Sequence, residues 1–238
     1  MPVPAEGPSY ETSTPLVSTT CQTDPVNRTR ETYLFAADAA VAIVADDSTA
    51  ARWSKESVLS GMSVGVLAAH LARSVLQVGW FLDGDVTGEH PVVSASTYYA
   101  RLTDTVSPTS ALNAGVEARS AETAQQGPAR IVTEAQLALR ALHARLPNEP
   151  TDRRVAIAHR PGEELLLDEY LRTRMVEIAV HIEDLALSVG LEIRAPESAA
   201  SMAAEVLIEA ARERHGNAAI LRALMRRERD NVEALRVL

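Results

Sequence analysis

Glu177 and His181 stand four residues apart in RTRMVEIAVHIEDLALSVG, residues 172–190, an otherwise apolar run. Side chains at that spacing share a helix face, with β-carbons roughly 5–6 Å apart, so a carboxylate and an imidazole there can grip one ion. A third group of the right type is His70, in SGMSVGVLAAHLARSVLQVGWFLDG, residues 60–84. Together they make the His₂Glu donor set of catalytic zinc sites, in which the fourth position is left for water or substrate. Each residue also has a plainer explanation. The Glu/His pair suits a solvent-facing helix edge, and His70 suits a core-edge histidine satisfied by a backbone carbonyl.

Two helices must position these groups. At helical spacing Arg174, Glu177, His181, Asp184 and Ser188 form a narrow polar stripe, while Met175, Ile178, Ala179, Ile182, Leu185, Ala186 and Val189 form a broad apolar face. In the His70 segment Val64, Leu67, Leu71, Val75, Val78 and Leu82 recur with the same period, and His70 lies at the margin of that face beside Ser74 and Gln77. Ser63 is placed to cap the start of this helix, and Asp83-Gly84 to end it.

LSGMSVGVLAAHLA resembles the Trp-Thr-Val-x-x-Leu-x-x-His-Leu stretch of the mycothiol-dependent maleylpyruvate isomerase N-terminal domain, a branch of the DinB-like metal-binding four-helix bundles. TRMVEIAVHIEDL is similar to that family's Arg-x-x-Glu-x-x-x-His-x-x-Asp-Leu motif. Met62 occupies the Trp position of the first motif. The resemblance spans residues 28–190 and implies a mainly α fold, a DinB-like four-helix bundle. It puts the metal ligands at His70, Glu177 and His181, with Asp184 and Leu185 on the Asp-Leu pair. It also implies a divalent metal, zinc above others, and mycothiol as thiol cofactor in an isomerisation or S-transfer on a small electrophilic substrate. Arg174 and Asp184 are then expected to orient ligands or substrate. A metal-dependent hydrolase and a non-catalytic metal- or ligand-binding bundle remain as alternatives on the residues alone.

The totals narrow the field further. The chain has 238 residues and a formal charge of −9, and its basic residues are spread rather than gathered, which argues against nucleic acid as a partner. Cys21 is the single cysteine, so internal disulfides and cysteine-based zinc folds are excluded and any metal must rest on His and carboxylate. No run is read as long enough for a membrane span and no signal-peptide layout is seen, so the expectation is a cytoplasmic protein. Oligomeric state is silent. Aromatics at 4% and abundant alanine favour close-packed helices.

Along the chain, residues 1–27 read as a flexible tail that includes Cys21, residues 28–190 as the bundle domain and residues 191–238 as a C-terminal helical extension. A first helix is expected over residues 29–45, with Leu34, Ala37, Val41 and Val44 inward. A loop follows, in which Trp53 and Val58 pack down. Residues 84–97, including His90, read as loop, and residues 96–105 as a short helix broken at Ser107-Pro108. Residues 110–146 are helical, split at Gly127-Pro128, with His143 in the last turn where a cation suits the helix dipole. Val155 to His159 and Glu163 to Leu167 read as a short β-hairpin around Arg160-Pro161-Gly162, with His159 a candidate supporting residue. Gly190 caps the metal helix, Pro196 opens the next, and His215-Gly216-Asn217 ends that one. A last helix is expected to bury Ile220, Leu221, Leu224 and Val232 and to expose Arg222, Arg226, Arg227, Glu228 and Arg229.

Overall fold

The computed structural model describes residues 25–102, 111–156, 162–225 and 235. The expectations for Cys21, Ser107-Pro108, His159, Arg160-Pro161, Val232 and the Arg226–Arg229 run lie outside these residues. Among the described residues the fold is mainly helical with one two-stranded antiparallel sheet, in keeping with a helical bundle carrying a short hairpin. In order the helices are α1 (Pro25–Val44), α2 (Asp47–Ala51), α3 (Val64–Leu82), α4 (Ala95–Ala100), α5 (Ala111–Ala124), α6 (Pro128–Arg145), α7 (Leu167–Val189), α8 (Glu197–His215) and α9 (Asn217–Met225). Strands β1 (Arg154–Ala156) and β2 (Glu164–Leu166) lie between α6 and α7.

Helices α1, α3, α6 and α7 pack around a shared core, α5 lies along α3, and α8 lies against α7 and α4. The periodic positions explain this. Leu34, Ala37, Val41 and Val44 of α1, Leu67, Leu71, Val75, Val78 and Leu82 of α3, and Met175, Ile178, Ile182, Leu185 and Val189 of α7 are all buried in it. Ser63 caps α3 as expected, its Oγ accepting from the Val66 amide at 3.2 Å. Gly190 ends α7 at φ 79°, a left-handed conformation that β-carbons disfavour. Val155 pairs with Leu165 at the centre of the hairpin, and both face the core.

Several expectations need correction. Helix α1 begins at Pro25, so residues 25–27 are helical rather than tail. Asp46 caps the short α2, which the loop reading did not include; its carboxylate accepts from the Ser48 amide. Val58 is 50% exposed and does not pack down, whereas Trp53 does. Leu221 and Leu224 of α9 are exposed, because this helix turns Ala219, Ile220 and Ala223 to the core instead. One helix, Val64–Leu82, is long and apolar enough to cross a membrane, contrary to the reading that no run approaches that length; most of it is buried within the bundle.

Trp53 folds back over the start of α3, where its Nε1 donates to the Ala124 carbonyl at 3.3 Å. A β-carbon on Gly65 would lie 2.6 Å from the indole ring. Alanine is normally favoured over glycine within a helix by about 1 kcal/mol. Here the clash decides the sign, and Gly65→Ala is expected to destabilise the fold by about 1–3 kcal/mol. Urea unfolding that shows the variant as stable as the parent would contradict this.

Candidate metal centre

Helix α3 brings His70 and helix α7 brings Glu177 and His181 to one point. One donor atom from each of the three lies within 4.8 Å of the other two. His70 Nε2 is 3.2 Å from Glu177 Oε2, and His181 Nε2 is 3.7 Å from the same oxygen. The two imidazoles meet edge to face, with centroids 4.6 Å apart. Between 16% and 19% of each of the three side chains remains accessible, so the cluster is walled in yet reachable from solvent.

The far side of each group is tied. The Ser120 hydroxyl of α5 donates to the Val116 carbonyl at 2.9 Å, so its lone pair is left to accept from His70 Nδ1 at 3.3 Å. Asp184 Oδ2 can only accept, and it lies 3.0 Å from His181 Nδ1, which must therefore be the donor. The buried Tyr99 hydroxyl of α4 is 3.0 Å from both Glu177 Oε1 and the Thr173 carbonyl, and burial holds its proton on. With both Nδ1 atoms used as donors, each Nε2 is the nitrogen turned to the common centre. Fixing the tautomer and ring orientation in this way is what outer partners of a ligating histidine do.

Charge is distributed unevenly among the three. Burial opposes ionisation of Glu177, but the His181 imidazole 3.7 Å away and the nearby Arg174 charge outweigh it and hold the carboxyl well below its usual range. Burial likewise opposes a charge on His181, yet Asp184 and Glu177 win and push it up to about 9. His70 is shifted down, chiefly by burial, and stays neutral. In the ion-free chain His181 thus carries a second proton, which faces Glu177 Oε2 across 3.7 Å. That proton contributes stability that is fully present below the ordinary imidazole value of 6.5 and is lost as pH rises through about 9.

The donor set suits a divalent ion. Tetrahedral donors at about 2.0–2.1 Å from zinc stand roughly 3.3 Å apart, close to the 3.2 and 3.7 Å found here. Two imidazoles and one carboxylate would leave a fourth tetrahedral position free, and imidazole, a poor ligand for hard ions, favours zinc or nickel over magnesium.

The polar stripe of α7 is therefore no solvated edge. Ser188, at its end, accepts from the Val58 amide at 3.0 Å and so ties down the loop before α3. Arg174 does not hydrogen-bond the cluster. Its guanidinium contacts Gln77 Oε1 at 3.3 Å and Thr173 Oγ1 at 3.2 Å, and it lies over the Tyr170 ring. Its influence on Glu177 is electrostatic. His90 is exposed in its loop, and His143 pairs with Asp38 of α1 at 3.1 Å, away from the cluster.

Tyr99 and Ser120 are the supporting residues that the sequence reading missed. Both lie on helices whose own sequences carry no ligand pattern, and only the packing of α4 and α5 onto α3 and α7 reveals them.

Comparisons with curated proteins and with solved structures find no match for the chain. The model of the mycothiol maleylpyruvate isomerase N-terminal domain does match, over residues 34–186. That span holds all three converging side chains, the whole of α3 and all but the last three residues of α7, and the chain belongs to this family.

Proposed function

We propose that the chain binds one divalent ion, zinc, through His70, Glu177 and His181, and uses it with a low-molecular-weight thiol, mycothiol, in isomerisation or S-transfer on a small electrophilic substrate. The observation that carries this reading is the convergence of three donors from two helices, each oriented by a separate partner in Ser120, Tyr99 or Asp184. Zinc held there keeps a coordinated thiol deprotonated at neutral pH. Asp184 holds the His181 ring, Tyr99 holds the Glu177 carboxylate, and Arg174 supplies positive charge one turn away. The three side chains keep 16–19% of their surface accessible, as the approach of a thiol requires. Support for mycothiol comes from family membership.

The test is turnover of an electrophilic substrate by zinc-loaded protein with mycothiol, compared with the same protein lacking thiol. Zinc binding with no thiol-dependent turnover across activated alkenes and alkyl or epoxide electrophiles would leave a metal-binding bundle and sink the enzymatic reading.

Ion binding has a pH signature. The proton on His181, held up to about 9, must leave when an ion takes Nε2. Zinc affinity is expected to rise about tenfold per pH unit between 6.5 and 9 and then level off. Calorimetry in buffers of different ionisation enthalpy should count one proton released at pH 7.5 and none at pH 10. A flat profile would mean that His181 is not displaced from its proton.

A further inference from the structure

Helix α8 lies beyond residue 186, where the family match ends, yet it grips the helix that supports Glu177. At the end of the six-residue α4 the Tyr99 carbonyl accepts from the Leu102 amide at 3.0 Å, and the Ala100 carbonyl lies in the last turn, where intrahelical donors run out. Arg214 of α8 adds a donor to each. Its Nη2 donates to the Tyr99 carbonyl at 2.6 Å and its Nε to the Ala100 carbonyl at 3.1 Å. A cation at a helix C-terminus is also favoured by the helix dipole. One turn earlier, Thr97 Oγ1 donates to Glu213 Oε2 at 2.9 Å. At the other end of α4, the Ala95 amide donates to Glu169 Oε2 of α7 at 2.7 Å. Tyr99 itself is fully buried, and its hydroxyl is 3.0 Å from Glu177 Oε1.

We infer that Arg214 is a positioning residue for the metal centre: it fixes the backbone of Tyr99, and Tyr99 in turn fixes the carboxylate of Glu177, so that the segment after the matched domain is part of the site's support. This rests on the reading of His70, Glu177 and His181 as zinc ligands. Without Arg214 the last two carbonyls of α4 lose their tie to α8, the Tyr99 hydroxyl drifts, and Glu177 is left to rotate away from the two imidazoles. Its Oε1 would then satisfy itself with water rather than hold Oε2 at the centre.

The experiment is a double-mutant cycle read by zinc titration of the full chain against a chromophoric chelator, with helicity checked by circular dichroism. Tyr99→Phe is expected to weaken zinc binding about tenfold, the low end of the cost of losing an outer partner, and Arg214→Ala about fivefold. Because the two act in series, the double variant should also lie near tenfold, not near the fiftyfold that independent effects would give. Arg214→Lys, which keeps one donor, should recover most of the affinity. Arg212→Ala removes an exposed residue of the same helix that contacts Asn217, and it should leave affinity unchanged. If Arg214→Ala does not fold, Arg214→Gln takes its place in the cycle. Unchanged zinc affinity on loss of Arg214, or additive effects, would overturn this inference while leaving the zinc site standing. A parent chain that takes up no zinc would overturn both.

Discussion

Purified without chelator, the parent chain is expected to carry one zinc per molecule and His70→Ala to carry none. His70 is the sole donor that α3 contributes to the cluster, so its loss leaves two donors from one helix. Losing an outer partner costs up to about 100-fold in affinity, and losing a direct ligand should cost more than that. The substituted site would not retain metal through dialysis. Glu177→Gln should behave similarly, because a neutral amide gives up the charge that offsets the ion. His143→Ala is the control, since that imidazole pairs with Asp38 on the surface and should not matter. Metal analysis by mass spectrometry decides the matter. Stoichiometric zinc in His70→Ala would remove His70 from the ligand set and with it the two-helix site.

The second large effect concerns stability rather than metal. Arg30 of α1 is 3% exposed, and its guanidinium fans across the join between α6 and α7. Nε donates to Asp168 Oδ1 at 2.9 Å, Nη1 to the Leu146 and Glu149 carbonyls at 3.0 and 2.6 Å, and Nη2 to the Pro150 carbonyl at 3.1 Å. The 3-10 turn after α6 satisfies these carbonyls only in part, the Glu149 amide donating to Leu146 at 3.3 Å and the Arg153 amide to Pro150 at 3.2 Å, and Arg30 supplies the further donors. Arg30→Ala is expected to destabilise the fold by about 3–5 kcal/mol, the usual cost of removing one member of a buried charged network. For a domain of this size that is a fall in Tm of roughly 6–20 °C. Arg30→Lys keeps the charge but not the fork, and should recover less than half. Zinc affinity of the remaining folded protein should be unchanged, because the network lies apart from the cluster. A Tm within 2 °C of the parent, roughly 0.5–1 kcal/mol for a domain of this size, would show that water satisfies those carbonyls equally well.

The helices of the bundle were legible because burial imposes a period on the residues it selects. The spacing of Leu67, Leu71, Val75 and Val78 marks one face of α3, and that of Met175, Ile178, Ile182 and Leu185 marks one face of α7. Turn chemistry was legible for the same local reason: Gly127-Pro128 splits α5 from α6, and Gly190 ends α7. Where the reading failed, the deciding contact lay elsewhere in the chain. Leu221 and Leu224 have core-like spacing, but among the described residues α9 packs mainly on α8, and both leucines are left exposed.

By itself the sequence determined which side chains could ligate an ion. Imidazole and carboxylate four residues apart on an apolar helix share a face by covalent geometry, and that holds wherever the helix goes. Tertiary structure alone decided that His70 meets them, 107 residues from Glu177 along the chain, and that Ser120 and Tyr99 turn His70 and Glu177 inward. Convergence of this kind depends on how α3, α4, α5 and α7 pack. Packing is set by the sum of many weak apolar contacts between distant segments, and no local spacing records that sum.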